Sequence, residues 1–238
     1  MRSRPLTAAG PGSVRPGGRT ARVREAVRRA TLAELSEHGY AGLGVEGVAA
    51  RSGVHKTTVY RRWGNAAGLV ADALDAAAGE PWPVPDTGTL SGDLRAIARL
   101  VLTGFTDPGE GPVTRAFVSA AAQSAEAARA LHAFFARRHE QAAVVVRRAA
   151  ERGEVPAGTD AGDVVRAAVA PLYHRLFITG EPVDETVADR AAAAAVAAAR
   201  AGVFQEGFSP DGGAVQGGGF GAGGFGGGLT GTGAPPGS

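Results

Sequence analysis

Apolar residues recur at intervals of three and four along almost the whole middle of this 238-residue chain, the spacing that gives a helix one apolar stripe. Val23, Val27, Ala30, Thr31 and Leu35 form the first stripe, over residues 19–38, and Gly39 follows as a stop. Residues 45–52 then keep Val45, Val48 and Ala49 on one side, Gly53 interrupts, and a second short stretch runs over residues 55–63. Asn65 is placed to cap a fourth helix through Leu69, Val70, Ala73 and Leu74, which ends where Gly79, Pro81, Pro83 and Pro85 forbid continuation.

After that boundary the helical spacing resumes. Leu90, Leu94, Ile97, Val101 and Phe105 mark one helix, residues 112–122 another, and Leu131, Phe134, Phe135, Ala142, Val145, Val146 and Ala149 a long third. Two more are expected over residues 160–179 and 184–204, each opening on an aspartate that can cap the helix and complement its dipole. No alternating strand pattern bounded by turns occurs, so the expected class is all-α.

Composition trims this picture at both ends. Of 37 glycines, 15 fall in residues 207–238, where there is almost no side chain to bury and folding could not offset backbone entropy. That stretch reads as a disordered Gly-rich tail, and residues 1–18, with Arg2, Arg4 and Arg15 among prolines and glycines, as a disordered basic arm. Gly219, Gly221 and Gly224 match a dinucleotide-binding spacing, but neither the strand before nor the helix after that such a site needs is present. The apolar core that a signal peptide needs is absent from the N-terminus, and no run of about 18 strongly apolar residues occurs, so neither a leader nor a membrane partner is expected. With no cysteine the chain suits a reducing compartment, and a cytoplasmic location follows.

Charge is polarised. Residues 1–63 hold 12 basic and 4 acidic residues, a balance of +8, whereas the remainder carries −6, so the overall +2 describes neither part. A basic first quarter points to a polyanionic partner. Its informative segment is residues 44–63, where Ala49 is small enough for a close crossing and Gly53 tolerates the turn of a helix-turn-helix. Val48, Val54 and Val59 would fasten the second helix. Its other face is left with His55, Lys56, Thr57, Thr58, Tyr60, Arg61 and Arg62, donors suited to phosphate oxygens and base-edge acceptors of double-stranded DNA. From spacing alone, a helical hairpin with a solvated basic face remains the alternative.

Gly39-Tyr40, the Val-Ala-Ala-Arg-Ser-Gly-Val run at 48–54 and the Thr-Val-Tyr-Arg-Arg-Trp run at 58–63 stand in an order and spacing that resembles the DNA-binding domain of the TetR family of transcriptional regulators, over residues 20–75. The resemblance implies a three-helix, helix-turn-helix domain at 19–65 joined to a helical-bundle domain for ligand binding and dimerisation at 66–206. By that likeness His55, Lys56 and Thr57 reach base edges, Thr58, Tyr60 and Arg62 hold phosphates, and Trp63 packs between helices. Ala66 stands where many members carry a phosphate-gripping lysine, and the arginines Arg15, Arg19, Arg22 and Arg24 are expected to replace it.

The implied protein is a homodimeric, ligand-responsive repressor on a palindromic operator, since paired recognition helices must sit about 34 to 36 Å apart. The Ala-rich helix at 184–204 would dimerise in that reading, or is a plain surface helix. Phe105, Phe117, Phe134, Phe135, Tyr173 and Phe177 would line an effector pocket or serve as ordinary core, and Pro171 would bend the helix beside Tyr173. An architectural DNA-binding protein without an effector is the other function considered. No cofactor is implied. His132 and His139, seven apart, lack a third metal ligand, and Ser119 and Ser124 lie outside any nucleophile motif, so no enzyme is expected.

Overall fold

The computed structural model describes residues 17–206 and Phe208, so most of the expected arm and tail, Arg15 included, lie outside it. Among the described residues the chain is all-α: α1 (Gly17–Gly42), α2 (Val45–Ser52), α3 (Lys56–Trp63), α4 (Ala66–Gly79), α5 (Leu90–Thr106), α6 (Gly111–Gln123), α7 (Ala125–Glu151), α8 (Ala161–His174) and α9 (Glu185–Arg200). A π-helical turn, Arg175–Thr179, extends α8.

The helix starts follow side-chain capping chemistry. Asn65, Thr89, Ser124, Asp160 and Asp184 each accept a backbone N–H from the first turn of the helix they precede, satisfying donors that have no partner within it. Ser124 is the one that spacing concealed. It ends α6, whose Ala120 carbonyl accepts its N–H, and begins α7 six residues before Leu131. At the other end, the helix breaks at Gly39 (φ 65°, ψ −173°), where a stop was expected, and one further turn carries α1 on to Gly42.

Two apolar clusters organise the molecule. The first joins α1 to α4 through Val27, Leu35, Val48, Val59, Trp63, Leu69 and Leu74, and the near ends of α6 and α7 close it with Ala116, Ala120 and Ala127. The second joins α5, the far half of α7, α8 and α9 through Leu94, Ile97, Val145, Val146, Val165, Leu172 and Val196. Alanines on one face of α9, from Ala188 to Ala199, belong to this second cluster, so that helix is anchored by its small-residue stripe. α4 packs along α7, and α6 packs on both α1 and α5, so both join the first cluster to the larger one.

Pro171 does not stop α8. Its ring nitrogen leaves the carbonyl one turn earlier without its usual donor, yet α8 runs on to His174 and continues into the π-helical turn, which ends at Gly180.

Candidate nucleic-acid interface

α2 and α3 form a helix-turn-helix because the residues between them permit a sharp turn. Gly53 adopts φ 67°, a left-handed geometry that costs a side-chain-bearing residue free energy, and His55 begins the next helix. Val48 and Val59 are fully buried across the crossing, and Trp63 is 7% exposed at the end of α3. This packing fixes which face of α3 is left outside: His55, Lys56, Thr57, Tyr60, Arg61 and Arg62 are exposed and Thr58 is half-buried.

Those side chains differ in how free they are. The His55 ring accepts the Thr57 N–H at 3.4 Å and lies 2.9 Å from Thr57 Oγ1, so it serves as the N-cap of α3 and holds Thr57 in place. Tyr60 donates its hydroxyl to Glu46 Oε1 at 2.6 Å, which raises the phenol's pKa and lowers that of the carboxyl. The Arg62 guanidinium lies over the Trp63 ring, 5.0 Å from its centroid.

Pairing sorts the cations of the first quarter into two sets. Arg24 bridges Asp72 (2.8 Å) and Asp75 (3.1 Å), Arg28 and Arg29 face Glu25, and Arg51 is clamped between Glu34 (2.7 Å) and Glu37. The two carboxylates push the Arg51 pKa up. Arg24 ties α1 to α4 and Arg51 ties α2 to α1. Among the described residues, Arg19, Arg22, Lys56, Arg61 and Arg62 have no carboxylate within salt-bridge distance. Arg19, Arg61 and Arg62 border one shallow concavity with Thr20 and Thr58, where the start of α1 meets α3. Of the arginines expected to replace the missing lysine, Arg19, Arg22 and Arg24 lie on α1, as its spacing predicted, and Arg24 is already occupied by aspartates.

Glu46 is the residue that sequence reading passed over. It is an exposed carboxylate beside a surface otherwise rich in donors, and it holds the Tyr60 hydroxyl. Glu46→Gln is expected to tighten operator binding by about two- to fivefold at low salt, by removing a charge that phosphates repel and loosening its grip on Tyr60. Fluorescence anisotropy with labelled operator measures this, and weaker binding by the variant would contradict it.

A second feature lies in the larger cluster, a cavity of about 370 Å³ bounded by α5, α7, α8 and the segment after α4. Phe105, Phe134, Phe135 and Tyr173 line it, with Trp82, Arg138 and His139. Phe105 and Phe135 meet Tyr173 edge-on, at 5.6 and 5.7 Å between centroids. Phe177, carried by the π-helical turn, supports Phe105 from behind at 5.3 Å without lining the cavity. Phe117 is not at the cavity at all: it packs against the first cluster, because that half of α6 leans on the helix-turn-helix core. Burial raises the Tyr173 phenol's pKa and, aided by Arg166, lowers that of the His139 imidazole, whose buried Nε2 has no hydrogen-bond partner.

Comparison with known proteins fits this geometry. The family description "Bacterial regulatory proteins, tetR family" matches residues 27–73, and "Tetracyclin repressor-like, C-terminal domain" matches residues 84–195. The HTH-type transcriptional regulator AqdR of Rhodococcus erythropolis is 35% identical over 147 residues, 62% of this chain and 70% of that protein. The chain belongs to the TetR family of transcriptional regulators. YdeS, an uncharacterised HTH-type regulator of Bacillus subtilis (strain 168), is 29% identical over 163 residues, 68% of this chain and 82% of that one. The crystal structure of the TetR family regulator SCO0332 superposes with a TM-score of 0.59 at 32% identity, covering 74% of this chain and 97% of that chain. TetR-family proteins are DNA-binding regulators of transcription and not enzymes, and this chain is one of them. Among its described residues no helix is long and apolar enough to cross a membrane.

Proposed function

We propose that this TetR-family protein acts in the cytoplasm as a homodimeric, ligand-responsive repressor that binds a palindromic operator. The observation that carries the DNA part is the set of unpaired cations: of nine basic residues in the described first quarter, those without carboxylate partners gather on α3 and the start of α1. In this reading Lys56 and Thr57 reach base edges in the major groove, with His55 fixing Thr57, while Arg62, Thr58, Arg19 and a released Tyr60 seat phosphates. Arg61, at the rim of the same concavity, adds a further donor. Two such helices need the separation that a dimer supplies.

The cavity supports an effector over a purely architectural role, since a solid helical core would have no use for a 370 Å³ apolar space beside an unpartnered imidazole. The effector that fits is a small, largely apolar molecule with one polar atom for His139. It releases DNA by binding more tightly to the form whose recognition helices are wrongly spaced. Selection of bound sequences from random duplex DNA tests the operator: two inverted half-sites about one helical turn apart are expected, and a single half-site or no consensus would refute the dimeric reading.

A further inference from the structure

Five aromatic rings, those of Trp82, Phe105, Phe134, Phe135 and Tyr173, line the 370 Å³ cavity, and its charged groups are unevenly matched. Arg138 carries a full charge into the wall. Its guanidinium stands 5.2 Å from the Phe134 centroid and 5.9 Å from that of Trp82, and it donates to the carbonyls of Ala77 (2.7 Å) and Glu80 (3.2 Å) and to Gln141 Oε1 (3.0 Å). All three acceptors are neutral. The acids of the neighbouring surface are taken by other arginines: the Glu80 carboxylate by Arg28, Glu140 by Arg147, and Asp160 and Asp163 by Arg166. Glu110 alone among the acids lines the cavity, and it is exposed to solvent.

His139 is the second polar group. Its ring stacks on Phe135 at 6.0 Å, its buried Nε2 has no partner, and it stands between the cavity and an outer depression that it shares with His132, Glu140 and Arg166. Burial, aided by the charge of Arg166, keeps the free imidazole unprotonated near neutral pH. An anion against Nε2 reverses that balance, because it supplies the opposite charge that a buried imidazolium needs, and Arg138 faces it across apolar walls. A cation meets Arg138 with no buried acid to offset it. A neutral group gains a hydrogen bond and nothing more.

We infer that the cavity takes an aromatic acid, its anionic oxygen on His139 Nε2, together with one proton carried by the imidazole. The ring system lies among the five aromatic side chains. Arg138 keeps its three neutral partners and acts on the anion through space. This ligand class rests on the reading of the cavity as an effector site. The groups facing His139 are Arg138, Glu140 and His132 from α7, Arg166 and Tyr173 from α8, and Glu110 at the start of α6. Glu140 and Arg166 are ion-paired, and burial keeps the Tyr173 phenol protonated. A carboxylate is ionised throughout the neutral range, so an imidazole whose pKa rises in the complex takes up a proton on binding. Affinity then falls as pH rises, by at most about tenfold per unit.

The test titrates the full chain by calorimetry with three probes of similar shape, 2-naphthoate, 2-naphthamide and 2-naphthylmethylammonium, at about pH 6.5 and 7.5. Buffers of different ionisation enthalpy count the protons. At the lower pH, naphthoate is expected to bind at least about tenfold more tightly than either other probe. At the higher pH it is expected to take up close to one proton per protomer and to bind about five- to tenfold more weakly than at the lower. His139→Gln is expected to abolish the uptake and cut the preference for naphthoate to below about threefold, which separates the His139 proton from any on His132. Gly104→Leu, which projects a side chain from the cavity wall where a Cβ meets nothing, is expected to block all three probes. The selectivity and the proton count come from wild type, so neither depends on how a variant folds. Equal or tighter binding of the amide or the ammonium, naphthoate binding without proton uptake, uptake that survives in His139→Gln, binding that survives Gly104→Leu, or no binding by any probe overturns the assignment. Labelled operator separates it from the effector reading. Naphthoate that binds with its proton yet leaves operator affinity unchanged supports the ligand class and counts against the effector reading alone, whereas release of operator by the amide and not by naphthoate refutes the acid and keeps the effector.

Discussion

Trp63→Ala is expected to lower the stability of the helix-turn-helix cluster by about 3–5 kcal/mol, the usual cost of deleting a large buried aromatic. The indole is 7% exposed and packs with Val59, Leu69 and Val70 where α3 meets α4. Losing it leaves a cavity where recognition helix and connector are joined, and it removes the surface on which Arg62 lies. Chemical denaturation followed by circular dichroism, together with operator titration, should show a lower unfolding midpoint and DNA binding reduced well beyond the loss of one contact. A variant that keeps both would mean that Trp63 belongs to nothing essential, and one that loses DNA binding at an unchanged midpoint would place it on the DNA surface, contrary to its burial.

The second large effect separates two kinds of contact on one helix. Arg62→Ala is expected to weaken binding to every sequence alike, because a phosphate is the same at every step of the duplex. Lys56→Ala is expected to cost about 1–3 kcal/mol on the preferred operator and little on others, relaxing the preference at one or two base pairs of each half-site. Parallel selections from random DNA with the two variants distinguish these outcomes. Unchanged base preference in Lys56→Ala, or altered preference in Arg62→Ala, would reverse the assigned roles.

Much of this arrangement was legible in the order of residues. Gly53 between two short amphipathic stretches announces a turn with φ above zero, and aspartates at 160 and 184 announce the starts of α8 and α9. What could not be read depends on partners distant in sequence. Arg24 and Lys56 are equally basic in one dimension, yet Arg24 meets aspartates 48 and 51 residues away whereas Lys56 faces solvent. Phe117 has the helical spacing of a pocket residue, but the lean of α6 onto α1 puts it in the other cluster. The π-helical turn is hidden for a different reason: Arg175–Thr179 holds no residue type that marks such a turn, and Pro171 disturbs the turn before itself. Glu46 escaped notice because a lone acidic residue in a basic segment signals nothing until Tyr60 is seen resting on it.

If free cations bind DNA while paired ones hold the fold, the salt dependence of operator affinity separates the two sets most directly. Neutralised phosphates release counterions, so each contact contributes about 0.9 to the slope of log affinity against log salt. Arg62→Ala removes one contact per protomer and is expected to reduce the slope of a dimer by about 1.8. Arg24→Ala removes the same formal charge from a side chain already committed to Asp72 and Asp75, and its slope should equal that of wild type. An unchanged slope in Arg62→Ala, or an equal fall in Arg24→Ala, would contradict the division of the basic quarter into DNA-facing and structural charge.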